Sequence, residues 1–164
     1  MNNRKDNMKK MLTVGAYVGS IVVVNWAFAV LPLLELPGAR VPLATLLVGV
    51  VFVLRDYAQR AIGHRVLLAM ALACGLSYWL AGPGVAMASA AAFAVAELAD
   101  WAVYTFTRRP FNERVLLSSA VGVPIDSLVF LWLLPFPGVL TVGAVAWMSA
   151  LKMLAALGWW RWAR

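Results

Sequence analysis

Six long apolar runs, at about 11–34, 41–54, 66–82, 85–107, 115–135 and 139–158, fill most of the chain. Between them lie only short polar or Gly/Pro breaks: Glu35-Leu36-Pro37-Gly38-Ala39-Arg40, Arg55 to Arg65, Gly82-Pro83-Gly84, Arg108 to Arg114 and Pro135-Phe136-Pro137-Gly138. A water-soluble domain of 164 residues cannot cover so much apolar surface. Hydrophobic residues make up 63% of the chain and charged ones 13%, against roughly 25% charged in soluble domains. A helix needs about 20 apolar residues to cross the hydrocarbon core, so this length accommodates six spans and no soluble domain beside them. Helices fit better than barrel strands, because the runs do not alternate in polarity. The expected fold is all-α: a polytopic integral membrane protein built as a bundle of six transmembrane helices. Residues 1–10 form a cytoplasmic tail, 11–158 a single membrane domain and 159–164 a cytoplasmic C-terminal end.

The position of the basic residues gives the net charge of +7 its meaning. Arg4, Lys5, Lys9 and Lys10 precede the first run, and Arg60 and Arg65 follow the second. Arg108, Arg109 and Arg114 follow the fourth, and Arg161 and Arg164 end the chain. The other side carries Arg40. By the positive-inside rule both termini are cytoplasmic, in a cell (inner) membrane. The charge is then a topology signal, and no nucleic-acid partner is expected. Trp159, Trp160 and Trp162 suit an aromatic belt at that edge. Ala27-Phe28-Ala29 resembles a signal cleavage site, but the preceding apolar run exceeds the usual h-region and no exported domain follows, so cleavage is not expected. Cys74 is the one cysteine, which excludes an internal disulfide and a Cys-cluster metal site. His64 sits among arginines and reads as a solvated loop residue. With no zinc motif, P-loop, Gly-x-Ser-x-Gly or Ser–His arrangement, nothing supports an enzyme, a cofactor or a metal.

Six ionisable residues fall inside or against the apolar runs. An ionisable group at the bilayer centre costs on the order of 2.5–3.5 kcal/mol on insertion scales, so such groups usually face a cavity or a partner. Val41 to Leu54 spans only ~21 Å as a helix, short of the ~30 Å core. The second helix must therefore continue through Arg55-Asp56-Tyr57-Ala58-Gln59, which places Asp56 and Gln59 on one face within the bundle. The competing view is a juxtamembrane loop with Arg55 snorkelling. Glu97 and Asp100 share a face of the fourth run. Two carboxylates so close seldom both ionise in a low dielectric, and one is expected to keep its proton. They line a cavity, or they form an interhelical clamp to Lys152 or Arg55. Asp126 follows Gly122-Val123-Pro124, a bend expected to unwind the fifth helix locally. Lys152 is either the counter-ion of one of these acids or a substrate contact. Asn25 reads as an interhelical hydrogen-bonding group or a ligand contact. If all ionise, four acids against two bases leave −2. A proton, a cation or a donor-rich substrate is needed.

In this order, these residues resemble the VUT family of queuosine precursor transporters. The family's late Asn in span one is matched by Asn25, and its Asp-containing close of span two by the segment from Phe52 to Gly63 with Arg55, Asp56 and Gln59. An Ala/Ser-rich stretch ending in Gln-x-x-Asp is matched by Ala88-Ser89-Ala90 leading to Glu97-Leu98-Ala99-Asp100. Gly122 with Asp126-Ser127 matches span five, and Lys152 the Lys of span six. Glu97 stands where the family usually has Gln, Val123 where Asn is common, and an Arg expected near Gly84 is absent. The resemblance runs from about Asn25 to Leu157 and implies uptake of a 7-deazaguanine such as preQ0 or preQ1. It also implies a helix arrangement similar to the substrate-binding subunits of energy-coupling-factor importers, without their ATPase module.

A guanine-like edge offers adjacent N–H donors beside a carbonyl. A carboxylate accepts two such donors, Lys152 or Asn25 donates to the carbonyl, and Trp26, Phe93, Trp101 and Tyr104 are candidate stacking faces. The expected substrate-binding set is Asn25, Asp56, Gln59, Glu97, Asp100, Asp126 and Lys152. The rival function is a binding subunit, for another nucleobase or vitamin-like solute, that needs an ATP-driven partner. Gly15-x-x-x-Gly19 either docks such a partner or packs span one inside the bundle. A membrane protein that only packs is disfavoured by its buried ionisable groups.

Overall fold

The computed structural model describes residues 2–81, 83–133 and 141–162. Among them are six long helices: α1 Asn2–Val30, α2 Thr45–Ile62, α3 Val66–Ala81, α4 Pro83–Phe106, α5 Phe111–Leu133 and α6 Val142–Trp162. A 3-10 turn, Gly63–Arg65, joins α2 to α3. Three segments are long and apolar enough to cross a membrane: Arg4–Phe28, Thr45–Trp79 and Phe111–Leu133, with Val142–Gly158 a shorter apolar helix. The fold is that of an all-α membrane protein.

Two features differ from the sequence expectation. The break at Glu35–Arg40 is the turn of a β-hairpin, whose strands β1 (Leu33–Leu36) and β2 (Ala39–Pro42) pair antiparallel. Gly38 adopts φ +73° at this turn, a region open to glycine without a Cβ penalty. The hairpin forms because Pro32 and Pro37 stop the helix, and the ladder satisfies backbone groups near the apolar phase. In addition, α5 stays helical through Pro124, and the expected unwinding does not occur. A proline removes one N–H bond to the carbonyl four residues back, and the flanking turns hold. The expected turn at Pro135–Gly138 and the Trp159, Trp160 and Trp162 side chains lie outside what is described, as does Gly82.

The helices alternate in direction, as three packing layers reveal. Near the hairpin, Val41 packs with Ala88 and Ala92 of early α4, Phe130 and Leu131 of late α5, and Ala144 and Met148 of early α6. At the opposite end, which holds both termini, Val53 of α2 meets Val115 of early α5 and Ala156 of late α6. Between them a larger cluster joins Tyr17 and Ile21 of α1, Val48 and Phe52 of α2, Ala69 and Ala73 of α3, Phe93 and Ala96 of α4, and Val123 of α5.

Glycine sets two of the helix crossings. A Cβ at Gly49 would overlap the Lys152 carbonyl oxygen and lie 2.7 Å from Ala155 Cβ, so α2 and α6 touch backbone to backbone there. At Gly122 a Cβ would meet Phe52 Cε1 at 3.0 Å and Asp100 Cβ at 3.2 Å. Gly15 and Gly19 have nothing within 4 Å of a built Cβ. The Gly-x-x-x-Gly strip of α1 therefore faces out of the bundle and does not pack span one inside it.

Candidate functional site

α2 continues as a helix through Arg55 to Gln59, as the shortness of its apolar run requires. This buries Arg55 and Asp56 completely and leaves Gln59 6% exposed. Asp100 is also fully buried and Glu97 is 1% exposed. The guanidinium of Arg55 is the hub. Its Nη1 donates to Asp56 Oδ1 at 2.7 Å and its Nε to Glu97 Oε2 at 3.0 Å. Nη1 also lies 2.9 Å from Asp100 Oδ2. Tyr17 of α1 donates its hydroxyl to Glu97 Oε2 at 3.1 Å, and Ser118 of α5 donates to Asp56 Oδ2 at 3.1 Å. Four helices thus meet on one arginine, and of the two expected clamps the one to Arg55 is found. Gln59 donates to Thr105 Oγ1 at 3.0 Å, beyond the cluster toward the terminal end. There Arg114 stacks over the Tyr104 ring at 4.8 Å and Arg60 over Phe111 at 4.5 Å.

A second polar group lies nearer the hairpin. Lys152 Nζ donates to Asp126 Oδ2 at 2.6 Å and to Ser127 Oγ at 2.9 Å, and Ser127 donates in turn to the Val123 carbonyl. Lys152 is 1% exposed. Its counter-ion role is therefore realised, toward Asp126. Across the bundle Asn25 donates Nδ2 to Ser77 Oγ at 2.8 Å and to the Ile21 carbonyl, while Ser89 donates to Asn25 Oδ1 at 2.9 Å. Asn25 thus binds α1 to both α3 and α4.

The cavity lies between these two groups. All six helices line it. Its polar wall is Asn25, Ser77, Ser89, Asp126 and Lys152, and its aromatic wall is Phe28, Phe93 and Phe130. Phe28 and Phe130 face each other at 5.4 Å between ring centroids. Of the seven residues expected at a binding site, Asn25, Asp126 and Lys152 border this cavity. Asp56, Gln59, Glu97 and Asp100 are not among its lining residues. They lie toward the terminal end, about one to two helical turns beyond the lining residues Val51 of α2 and Phe93 of α4.

The aromatic expectation also shifts. Phe93 lines the cavity, but Trp26 is 62% exposed on the outside of α1. Trp101 donates its indole N–H to His64 Nδ1 at 3.0 Å, so His64 has a specific partner in its exposed turn. Phe28 and Phe130 were not expected. Each lies one turn after a polar lining residue, Asn25 or Asp126, and that spacing is the signal that could have found them.

The sequence profile of a family described as "Putative vitamin uptake transporter" matches residues 77–160, half of the chain. The chain belongs to this family. The match runs from Ser77 through Asp126 to Lys152, so it covers most of the cavity's polar wall. Membership in the vitamin uptake transporter family makes the chain a multi-pass membrane transporter for a small molecule. No curated protein and no solved structure matches the chain.

Proposed function

We propose that this transporter is a solitary six-span carrier that imports a queuosine precursor, a 7-deazaguanine such as preQ0 or preQ1, across the inner membrane with both termini cytoplasmic. The observation that supports this reading is the cavity itself. It sets an acceptor (Asp126) and donors (Lys152, Asn25) beside a wall of three phenylalanines, Phe28, Phe93 and Phe130, an apolar surface for a flat heteroaromatic ring. A guanine-like edge carries N–H donors for the carboxylate and a carbonyl for the ammonium. Because Lys152 and Asp126 pair with each other, a substrate with both functions can replace one polar contact by another without stranding either charge.

The test is to express the chain alone in cells unable to make preQ0 and to measure queuosine in tRNA when preQ0 or preQ1 is fed. Queuosine is expected with the parent and is lost in the charge-neutral double variant Lys152→Met with Asp126→Asn. No queuosine with well-expressed parent overturns the solitary reading.

A second reading is a substrate-binding subunit of an energy-coupling-factor-type importer. The outward, uncovered Gly15 and Gly19 favour it, since such a strip admits close helix approach. Queuosine that appears only when an ATP-driven module is co-expressed would select it.

A further inference from the structure

The amide of Asn25 is held in one orientation. Its Nδ2 lies 2.9 Å from the Ile21 carbonyl, which can only accept, so nitrogen and oxygen cannot be exchanged. The second hydrogen on that nitrogen goes to Ser77 Oγ at 2.8 Å. Oδ1 can only accept, so the Ser89 hydroxyl 2.9 Å away must donate to it. These directions decide what the two serines have left. Ser77 accepts from Asn25 and keeps its own O–H, which has no acceptor among the described residues. Ser89 spends its hydrogen on Asn25 and keeps its lone pairs, to which none of the described residues donates. Ser77 is 1% exposed, and all three side chains line the cavity. A buried hydroxyl hydrogen without an acceptor is costly until something in the cavity accepts it.

The two serines thus pass on the donor–acceptor order of the amide behind them. The N–H of Asn25 re-emerges as the Ser77 O–H, and its carbonyl as the Ser89 oxygen. Because both serines bond to one amide, they are neighbours on one wall, although Ser77 belongs to α3 and Ser89 to α4. The edge that complements them carries a ring nitrogen that accepts next to a ring N–H that donates. Such an edge closes a cycle of hydrogen bonds running one way. Asn25 donates to Ser77, Ser77 to the ring nitrogen, the ring N–H to Ser89, and Ser89 back to Asn25. Bonds chained in this way polarise one another. In a 7-deazaguanine the pyrrole N–H and the adjacent pyrimidine nitrogen form this edge, and it is distinct from the edge that carries the carbonyl.

We propose that Ser77 and Ser89 are specificity-determining residues of this transporter, which read the N–H/N edge of a fused heteroaromatic substrate. This inference rests on the carrier reading above, in which Asp126 and Lys152 meet the other polar edge. Asn25 is the positioning residue, and its donor reaches the substrate through Ser77.

The test uses the purified full chain and three small bicycles, with dissociation constants from ligand-detected NMR. 7-Azaindole carries the N–H/N edge and nothing else polar. Its furan analogue has a ring oxygen in place of the N–H, and indole lacks the ring nitrogen. The parent protein is expected to bind 7-azaindole about tenfold more tightly than either of the others. A parent that treats the three alike overturns the proposal, and this arm needs no variant to fold. Ser89→Ala is expected to abolish the preference over the furan analogue and to keep the preference over indole. Ser77→Ala is expected to do the reverse. A merely structural role would shift both preferences together, and that result, or two preferences that survive both variants, overturns the proposal. Entry of labelled preQ0 into proteoliposomes separates this inference from the reading beneath it. If preQ0 does not enter while the preferences hold and respond to the variants, the substrate assignment fails and the edge-reading serines stand. If preQ0 enters and the parent shows no preference, the carrier reading stands and the serines do not select.

Discussion

Removing the ammonium of Lys152 is the most informative single perturbation of the cavity. Its Nζ lies 2.6 Å from Asp126 Oδ2, with side-chain exposures of 1% and 9%, so solvent hardly screens the pair. Lys152→Met keeps most of the stem and deletes the charge, which leaves Asp126 without its cation. Breaking one partner of a buried pair costs roughly 3–5 kcal/mol. For a chain of this size that is a fall in Tm of roughly 6–20 °C. Asp126→Asn strands Lys152 and should cost a similar amount. The double variant removes both charges, and the amide that replaces the carboxylate keeps an acceptor oxygen, so it should lie well above the sum of the singles. A coupling of up to about 3 kcal/mol is expected. The assay is thermal unfolding of the four proteins in one detergent at one pH. If the double variant loses as much as the two singles added, the pair contributes no interaction, and Lys152 is held by something other than Asp126.

Gly49→Ala forces a Cβ into the Lys152 carbonyl and against Ala155. It should lower Tm by more than Gly15→Ala, which meets nothing, and an equal effect of the two would contradict the α2–α6 contact. Asn25→Leu removes the bridge to Ser77 and Ser89 and strands one buried and one half-buried hydroxyl. A loss of about 1–3 kcal/mol in thermal unfolding is expected, together with weaker precursor uptake at matched expression, and wild-type behaviour in both would remove Asn25 from the site. In a Cys74-free background, a cysteine at exposed Glu35 should react with an impermeant thiol reagent from outside, and one at Arg108 should not. Labelling of Arg108 from outside would invert the orientation.

The membrane class and the helices were legible because a 20-residue apolar run has few alternatives in water or lipid. The continuation of α2 through Arg55 followed from length alone, since a helix that stopped at Leu54 would be too short. Membership of the transporter family was legible in the ordered polar residues from Asn25 to Lys152. The partners of those residues were not. Helical spacing places Glu97 and Asp100 on one face, but it cannot say whether that face meets Lys152, Arg55 or a cavity, because this depends on which helix lies across the bundle from α4. The hairpin was hidden for a different reason. Its strands are apolar and short, and Leu33-Leu34 reads equally well as the end of a span.

The β-hairpin between α1 and α2 has a mechanical consequence. Its two strands pair with each other, and a helix side chain reaches the ribbon's backbone at the Pro37 carbonyl. It touches α6 through Val41 near Ala144 and Met148, through Gly38 beside Gly143, and through one indole bond from Trp147 to the Pro37 carbonyl at 3.3 Å. Swinging it aside therefore breaks side-chain contacts and a single hydrogen bond, whereas moving any helix would break an interhelical face. In stiffness terms the hairpin is a short cantilever rooted at Pro32 and Leu43, the softest contact that α6 makes at this end of the bundle. A cross-link between the tip and α6 would stiffen this contact and leave the helices as they are.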